Sequence, residues 1–284
     1  PLTYATTSNP NFTSTKAQQW MTTKSTVISN VGANDWIIFN IQQVGYYKVD
    51  YSRELWTTII NGYKENPEII HKINREVLHE EMFDGWTNLG TQSISDCLEL
   101  LGVLENEREG GIWDKAGYYI EKLNNFFLFS EFYEDFLDIM HQVLTPHVDL
   151  LKTADKKSNI YNNINWWCKE THHEAYLQLQ LEQLLVFMNT DNRNDKPDLC
   201  SAFRVANTSV YQHFFDKAFD SDGIFDTDLI SSLGCTSNPE KLKELFEQLL
   251  NSEGVMNDAV TTITFDKTMR SSEIGLESVM DISY

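Results

Sequence analysis

The sequence predicts a mainly α protein: an irregular superhelical stack of antiparallel helix pairs, preceded by a partial antiparallel β-sandwich. Three observations carry this. The hydrophobic period changes from strand-like to 3.6 near residue 51. About a dozen amphipathic segments follow, joined by short polar links. Helices so joined pack as antiparallel pairs, and many pairs in series build a stack. Composition shifts at the same place. Residues 1–51 hold Lys16, Lys24 and Lys48 against Asp35 and Asp50, contain no Glu, and carry a net of +1, while the remainder carries −21. The expected division is 1–51, a β half-domain, and 52–284, a helical domain.

The β portion is rich in Thr, Ser, Val, Ile and Tyr, which favour strands and turns. Trp36–Ile41 and Gly45–Tyr51 read as two strands with a break at Gly45, and Thr22–Ile28 as a third. That is too few for an independently stable sheet. Half of a sandwich leaves apolar surface near residues 1–51, and self-association through it is the expectation.

The helices follow from side-chain spacing. Leu55, Ile59, Ile60 and Tyr63 share one face. So do Ile94, Cys97, Leu98, Leu101 and Leu104, with Ser93 and Asp96 placed for a capping box. Phe132, Phe136, Ile139, Met140 and Val143 form a third stripe, ended by Thr145-Pro146. Leu242, Leu245, Phe246, Leu249 and Leu250 form the clearest one, entered through Asn238 as N-cap and Pro239 at the first helical position. Further segments lie near 68–82, 113–125, 156–168, 174–188, 210–219 and 225–233. There is no strict repeat.

With 284 residues the chain holds one or two domains. Its net charge of −20 opposes nucleic-acid binding, which needs a clustered basic face, and opposes an electrostatic anchor on anionic lipid. A hydrophobic content of 41% suffices for a large core. No apolar run approaches the ~18–20 residues of a membrane span, so no transmembrane segment is expected. The chain opens at Pro1 without a leader pattern and reads as a fragment or a mature piece. Cys97, Cys168, Cys200 and Cys235 form no CxxC pair, which disfavours a thiolate zinc site and leaves three full pairings open. Asn11-Phe12-Thr13 and Asn207-Thr208-Ser209 are N-glycosylation sequons if the chain is secreted.

No catalytic constellation is complete. His79-Glu80-Glu81-Met82-Phe83 begins like H-E-x-x-H, but Phe83 stands where the second imidazole must be, so His79 reads as a solvated helix position. Adjacent His172 and His173 point about 100° apart on a helix and do not converge on one metal. A serine elbow of the G-x-S-x-G type is missing, and Gly110-Gly111 is no phosphate loop. Asp222, Gly223, Asp226 and Asp228 lack the spacing and terminal Glu of a calcium loop. Phe126-Phe127, Trp166-Trp167 and Phe214-Phe215 read as core packing before sugar or base platforms. Catalytic residues and metal ligands in this chain are therefore expected to be none.

One stretch is more specific. Trp36-Ile-Ile-Phe-Asn40, then Gln43-Val-Gly-Tyr-Tyr-Lys-Val-Asp-Tyr51, Trp56 and Ile60, resembles the junction sequence of the aminopeptidase N family, N-x-x-x-x-G-Y-Y-R-V-N-Y-D. Lys48 replaces Arg and Asp50 replaces Asn. Ile73-Asn74-Arg75 with Phe83 is similar to the family's N-R-A-Q-L…F helix. Cys200, Phe203-Arg204, Leu233-Gly234-Cys235-Thr236 and Pro239 resemble its Y-C…L-G-C-T segment. Ser271–Gly275 resembles its late N-x-x-G-R region, with Leu276 in place of Arg. The style is that of insect midgut members.

The resemblance implies a zinc exopeptidase as parent. Its H-E-x-x-H…E and G-A-M-E-N motifs are missing here, so zinc belongs to the parent and this chain alone is expected to be inactive. Residues 1–51 would end a β-sandwich domain, and 52–284 would be a C-terminal helical cap domain, truncated. The cap covers the active site and shapes the peptide chamber. The implied partners are the missing N-terminal catalytic domains and a peptide substrate. The resemblance also implies a Cys200–Cys235 disulfide. Closing that loop of about 36 residues would stabilise by ~3–4 kcal/mol in the chain-entropy model. Cys97 and Cys168 would be buried free thiols, the alternative being a Cys97–Cys168 pair. Arg204 is the cationic candidate for a peptide carboxylate, against an ion pair with a neighbouring acid. Extracellular, lipid-anchored placement is implied for the parent. A second reading follows from insect members: a non-catalytic surface module, bearing glycans at Asn11 or Asn207, that binds a bacterial crystal toxin.

Overall fold

Two units, Pro1–Thr171 and His172–Tyr284, make up the protein. The structure, a computed structural model, describes residues 1–29, 31–32, 34–190, 196–219, 227–251, 264 and 268. Among these it is mainly helical, with twelve α-helices and a small antiparallel sheet near the N-terminus.

The sheet has two short strands, β1 (Tyr4–Thr6) and β2 (Ile37–Phe39), paired Tyr4 with Phe39, Ala5 with Ile38 and Thr6 with Ile37. This corrects the strand expectations. Thr22–Ile28 is not a strand, and Trp36–Ile41 is one only over its middle three residues. Gly45–Tyr51 is not a strand either. Pairing stops because Asn40, Gln42 and Gln43 all take left-handed φ (56°, 51° and 55°), which turns the chain off the sheet direction. Beyond that elbow the backbone bonds to side chains: Gly45 N–H to Asn40 Oδ1 and Val49 N–H to Glu81 Oε1. Trp20, Val27, Val44 and Tyr46 are exposed.

Tyr51 leads through the N-cap Ser52 into α1 (Arg53–Glu65), which buries Trp56, Ile59, Ile60 and Tyr63. Gly62 on this helix is a close approach: a Cβ there would run into the Trp36 indole. Next come α2 (Lys72–Asp84), then a π-helical turn over Gly85–Leu89, then α3 (Ile94–Leu101). The α3 capping box forms as its spacing predicts, with Asp96 N–H on Ser93 Oγ and Ser93 N–H on Asp96 Oδ2. The long α4 (Gly110–Phe127) packs on α2. Three more helices complete the unit: α5 (Tyr133–Leu144), α6 (Leu150–Thr153) and α7 (Asn159–Glu170). A Cβ on Gly110 would stand 3.0 Å from the Ile160 backbone nitrogen, which is how closely α4 approaches α7. Phe132 departs from its predicted stripe. It precedes α5 as N-cap and is exposed, while Phe136, Met140 and Val143 are buried.

The second unit contains α8 (Glu174–Thr190), α9 (Leu199–Val205), α10 (Thr208–Phe219), α11 (Thr227–Leu233) and α12 (Pro239–Asn251). Phe203, Phe214, Ile230, Leu233, Leu242, Leu245 and Phe246 form its apolar core. Asn238 caps α12, its Oδ1 accepting the Glu240 and Lys241 N–H groups ahead of a Pro239 that lacks one. Leu250 is exposed. Asp222, Gly223, Asp226 and the Ser271–Leu276 segment lie outside the described residues.

Candidate functional site

The residues that carry the most specific sequence pattern converge in the first unit. Asn40 folds its side chain over the elbow, donating from Nδ2 to the carbonyls of Gly45 (2.9 Å) and Tyr47 (3.0 Å). Buried Asn74 of α2 reads the elbow from the other side. Its Nδ2 donates to Asn40 O (3.1 Å) and its Oδ1 accepts from Gln42 N–H (2.9 Å). Thr3 Oγ1 accepts from Ile41 N–H, and Gln42 Nε2 donates to Phe12 O. Seven residues after Asn74, Glu81 accepts the Val49 N–H at 2.8 Å. Lys48 bridges Glu80 and Asp84 of the same helix, and Lys115 of α4 also reaches Glu80. Gln92 and Thr91 hold Asp50. Residues 40–51 thus lie as a strap along α2.

The same unit holds a buried polar hub, to which α2 contributes Arg75. The Glu107 carboxylate receives Tyr63 O–H (2.7 Å) and two Arg75 contacts, Nε (2.8 Å) and Nη2 (3.3 Å). It also accepts the backbone N–H groups of Arg108 and Glu109. Arg75 spends its Nη1 donors on Pro67 O and Ile70 O. Every oxygen of this carboxylate is used, which is what a buried charge requires. Nearby, His147 gives its Nε2–H to Leu104 O (2.8 Å), so its Nδ1 accepts from Arg108 Nη1 (2.9 Å). Burial holds that imidazole down to about 4.

His79 corrects its sequence reading. It is not solvated but fully buried on α2, its ring against Tyr63, with neither nitrogen hydrogen-bonded. Burial lowers it to about 4. The misreading has a plain cause: His79-Glu80-Glu81 looks like a polar helical face, yet two of the three are inside. Tyr63 is legible as part of the apolar face of α1, but Glu81, Glu107 and His147 carry no local sign of burial, Glu107 sitting within the charged run Glu105–Glu109.

The residues nominated from sequence fall in different places. Cys200 and Cys235 are joined as a disulfide in the second unit, and Cys97 and Cys168 are buried free thiols, each pushed up to about 12 by burial. Arg204 stands half-buried near the end of α9, lowered to about 10 by burial, and its carbonyl accepts from Ser237 Oγ. Asn11 is exposed, and its Oδ1 accepts the Thr13 hydroxyl and amide. Asn207 is exposed and caps α10 by accepting Val210 N–H. Among the described residues no three His, Cys, Asp or Glu side chains are grouped to hold a metal. No helix among them is long and apolar enough to cross a membrane.

A family model, the ERAP1-like C-terminal domain, matches residues 36–278. The chain is similar to a membrane alanyl aminopeptidase of Heliothis virescens, 24% identical over 98% of this chain and 29% of the relative. An aminopeptidase N of Plutella xylostella is 24% identical over 91% and 29%. A thyrotropin-releasing hormone-degrading ectoenzyme of Mus musculus is 24% identical over 90% and 26%. The chain therefore spans under a third of the length of these relatives. As the family model covers well over half of the sequence, the chain belongs to the ERAP1-like C-terminal domain family, as the C-terminal portion of an aminopeptidase N-type protein.

Proposed function

We propose that this chain is the non-catalytic C-terminal region of an aminopeptidase N-like zinc ectopeptidase, covering the active site and shaping the peptide chamber. The observation that carries the reading is the family match over residues 36–278 in a chain that corresponds to 29% of an aminopeptidase. The parent would release N-terminal residues from peptides. Zinc would polarise the scissile carbonyl there. The described residues of this chain supply no ligand set for that metal.

This chain's share of the work would be to exclude water and limit peptide access. Arg204 is proposed as a receiver of the peptide carboxylate, since a guanidinium matches that group bidentately. The disulfide and the exposed sequons at Asn11 and Asn207 support placement on the extracellular side, with lipid anchorage in the parent. The same exposed sequons favour a second reading, a glycan-bearing surface module that binds a bacterial toxin.

The test is an aminopeptidase assay of the 284-residue chain beside metal analysis, and of the parent enzyme with Arg204→Ala. The isolated chain should show no turnover and no stoichiometric zinc. The parent variant should raise KM for peptides, while amino-acid anilides, which lack a carboxylate, are unaffected. Turnover with stoichiometric zinc by the isolated chain would overturn the reading. Binding of toxin by the chain, lost after deglycosylation, would favour the second.

A further inference from the structure

The strap is held by an unusual latch. Glu81 is buried, and the Val49 N–H at 2.8 Å is the hydrogen bond the structure gives its carboxyl. The groups facing it are mostly acidic or phenolic. Glu80 lies on its own helix, Asp50, Tyr47 and Tyr51 on the strap, and Lys48 is the one cation among them. That cation is already engaged, bridging Glu80 and Asp84, and Lys115 of α4 reaches Glu80 rather than Glu81. Upstream, the strap begins with three left-handed non-glycine residues, Asn40, Gln42 and Gln43, a conformation that persists only where surrounding contacts impose it.

We propose that residues 40–51 form a pH-responsive strap, latched onto α2 while the Glu81 carboxyl carries its proton and loosened when that carboxyl ionises. A neutral carboxyl accepts one backbone N–H and tolerates its buried, acid-rimmed position. A carboxylate there lacks both the donors and the counter-charge that Glu107 has, so it draws water in and the strap lifts. Burial pushes Glu81 up to about 8, with Glu80 and Asp50 adding to that and the Val49 bond opposing it. The sign follows from a folded-state value above the free one. The latch is at full strength below about 4.5, weakens as pH rises toward 8, and is level above it. Val44, Gly45 and Tyr47 of the strap also line a cavity of about 240 Å³ with Trp20, so the strap's state reshapes a surface a partner could sense.

Amide exchange of the intact chain, corrected for intrinsic base catalysis, tests this. Between pH 5.5 and 7.5 protection at Val49 should fall more than about tenfold relative to α4 amides. Glu81→Gln, which keeps an acceptor and cannot ionise, should make that protection independent of pH. Unchanged protection in the wild-type chain, or the same fall in Glu81→Gln, overturns the proposal. Should Glu81→Gln not fold, the ¹³C resonance of the Glu81 carboxyl in the wild-type chain decides. A midpoint above about 6.5 supports the latch, and one near 4.5 overturns it.

Discussion

The two units solve the same packing problem with different materials. Within an apolar core that includes Trp56, Ile59, Phe83 and Trp113, the first buries a charged network: Arg75, Glu107 and Tyr63, with Arg108 and His147 beside it and His79 against Tyr63. The second encloses an apolar cluster from Leu184 to Leu249 and adds a covalent staple between Cys200 and Cys235. An apolar core is tolerant in geometry, since any well-filled arrangement is favourable. A buried charge is not, because each lone pair and proton must meet its partner. The first unit is therefore the more sharply specified of the two, and the more exposed to single-site damage and to pH.

Three experiments would break or sharpen that contrast. The largest effect is expected from Glu107→Ala, which leaves the Arg75 guanidinium buried with its counter-charge gone. A loss of about 3–5 kcal/mol is expected in urea unfolding of the first unit, with the second little affected. Glu107→Gln, which retains acceptors for Tyr63 and Arg75, should lose less. Equal losses for Ala and Gln would show that the retained acceptors contribute nothing and the charge carries the whole effect, and no loss in Gln would show that the charge itself contributes nothing.

Next in size is the staple. Cys200→Ser with Cys235→Ser should destabilise the second unit by about 3–4 kcal/mol, because the unfolded chain regains the freedom of the loop across 35 residues. The first unit's transition should stay where it was. A shift of both transitions would mean that the contrast between the units is wrong.

The smallest effect is read in acid. His79 is held down to about 4, so the unfolded state binds its proton first. Stability should fall as pH drops from about 6.5 to 4, by roughly 3 kcal/mol from this residue at the low end. His79→Leu removes an imidazole with no hydrogen bond and should flatten that slope, leaving the part due to His147. Chemical denaturation at pH 4, 5 and 7 reads the difference. An unchanged slope would place the acid sensitivity elsewhere.

Much of the helical architecture was legible, and for a local reason. The stripes of α1, α3 and α12 depend on residues three and four apart, and the caps at Ser93 and Asn238 on residues two or three apart. The strands were less legible. Gly45–Tyr51 has strand composition, but its hydrogen bonds go to Asn40 and Glu81, and Glu81 lies 32 residues from Val49. Phe132 joined a stripe by spacing, yet it sits one residue before α5 begins. Arg204 and the two sequons could be named from the chain, but what Arg204 meets depends on segments distant in sequence.

What the sequence by itself determined is that the chain is mainly helical, where helices such as α3 and α12 are capped, which face of α1, α3 and α12 is apolar, and which family the chain resembles. Only the tertiary structure decided which charged residues lie inside. Tyr63 meets Glu107 across 44 residues and Arg75 meets it across 32. Glu80 and Glu81 are neighbours in the chain, yet one stays between two lysines at the surface and the other is buried against the strap. The physical reason is that helix formation is a short-range property of the backbone, whereas a polar side chain's burial is set by partners that folding alone brings to it.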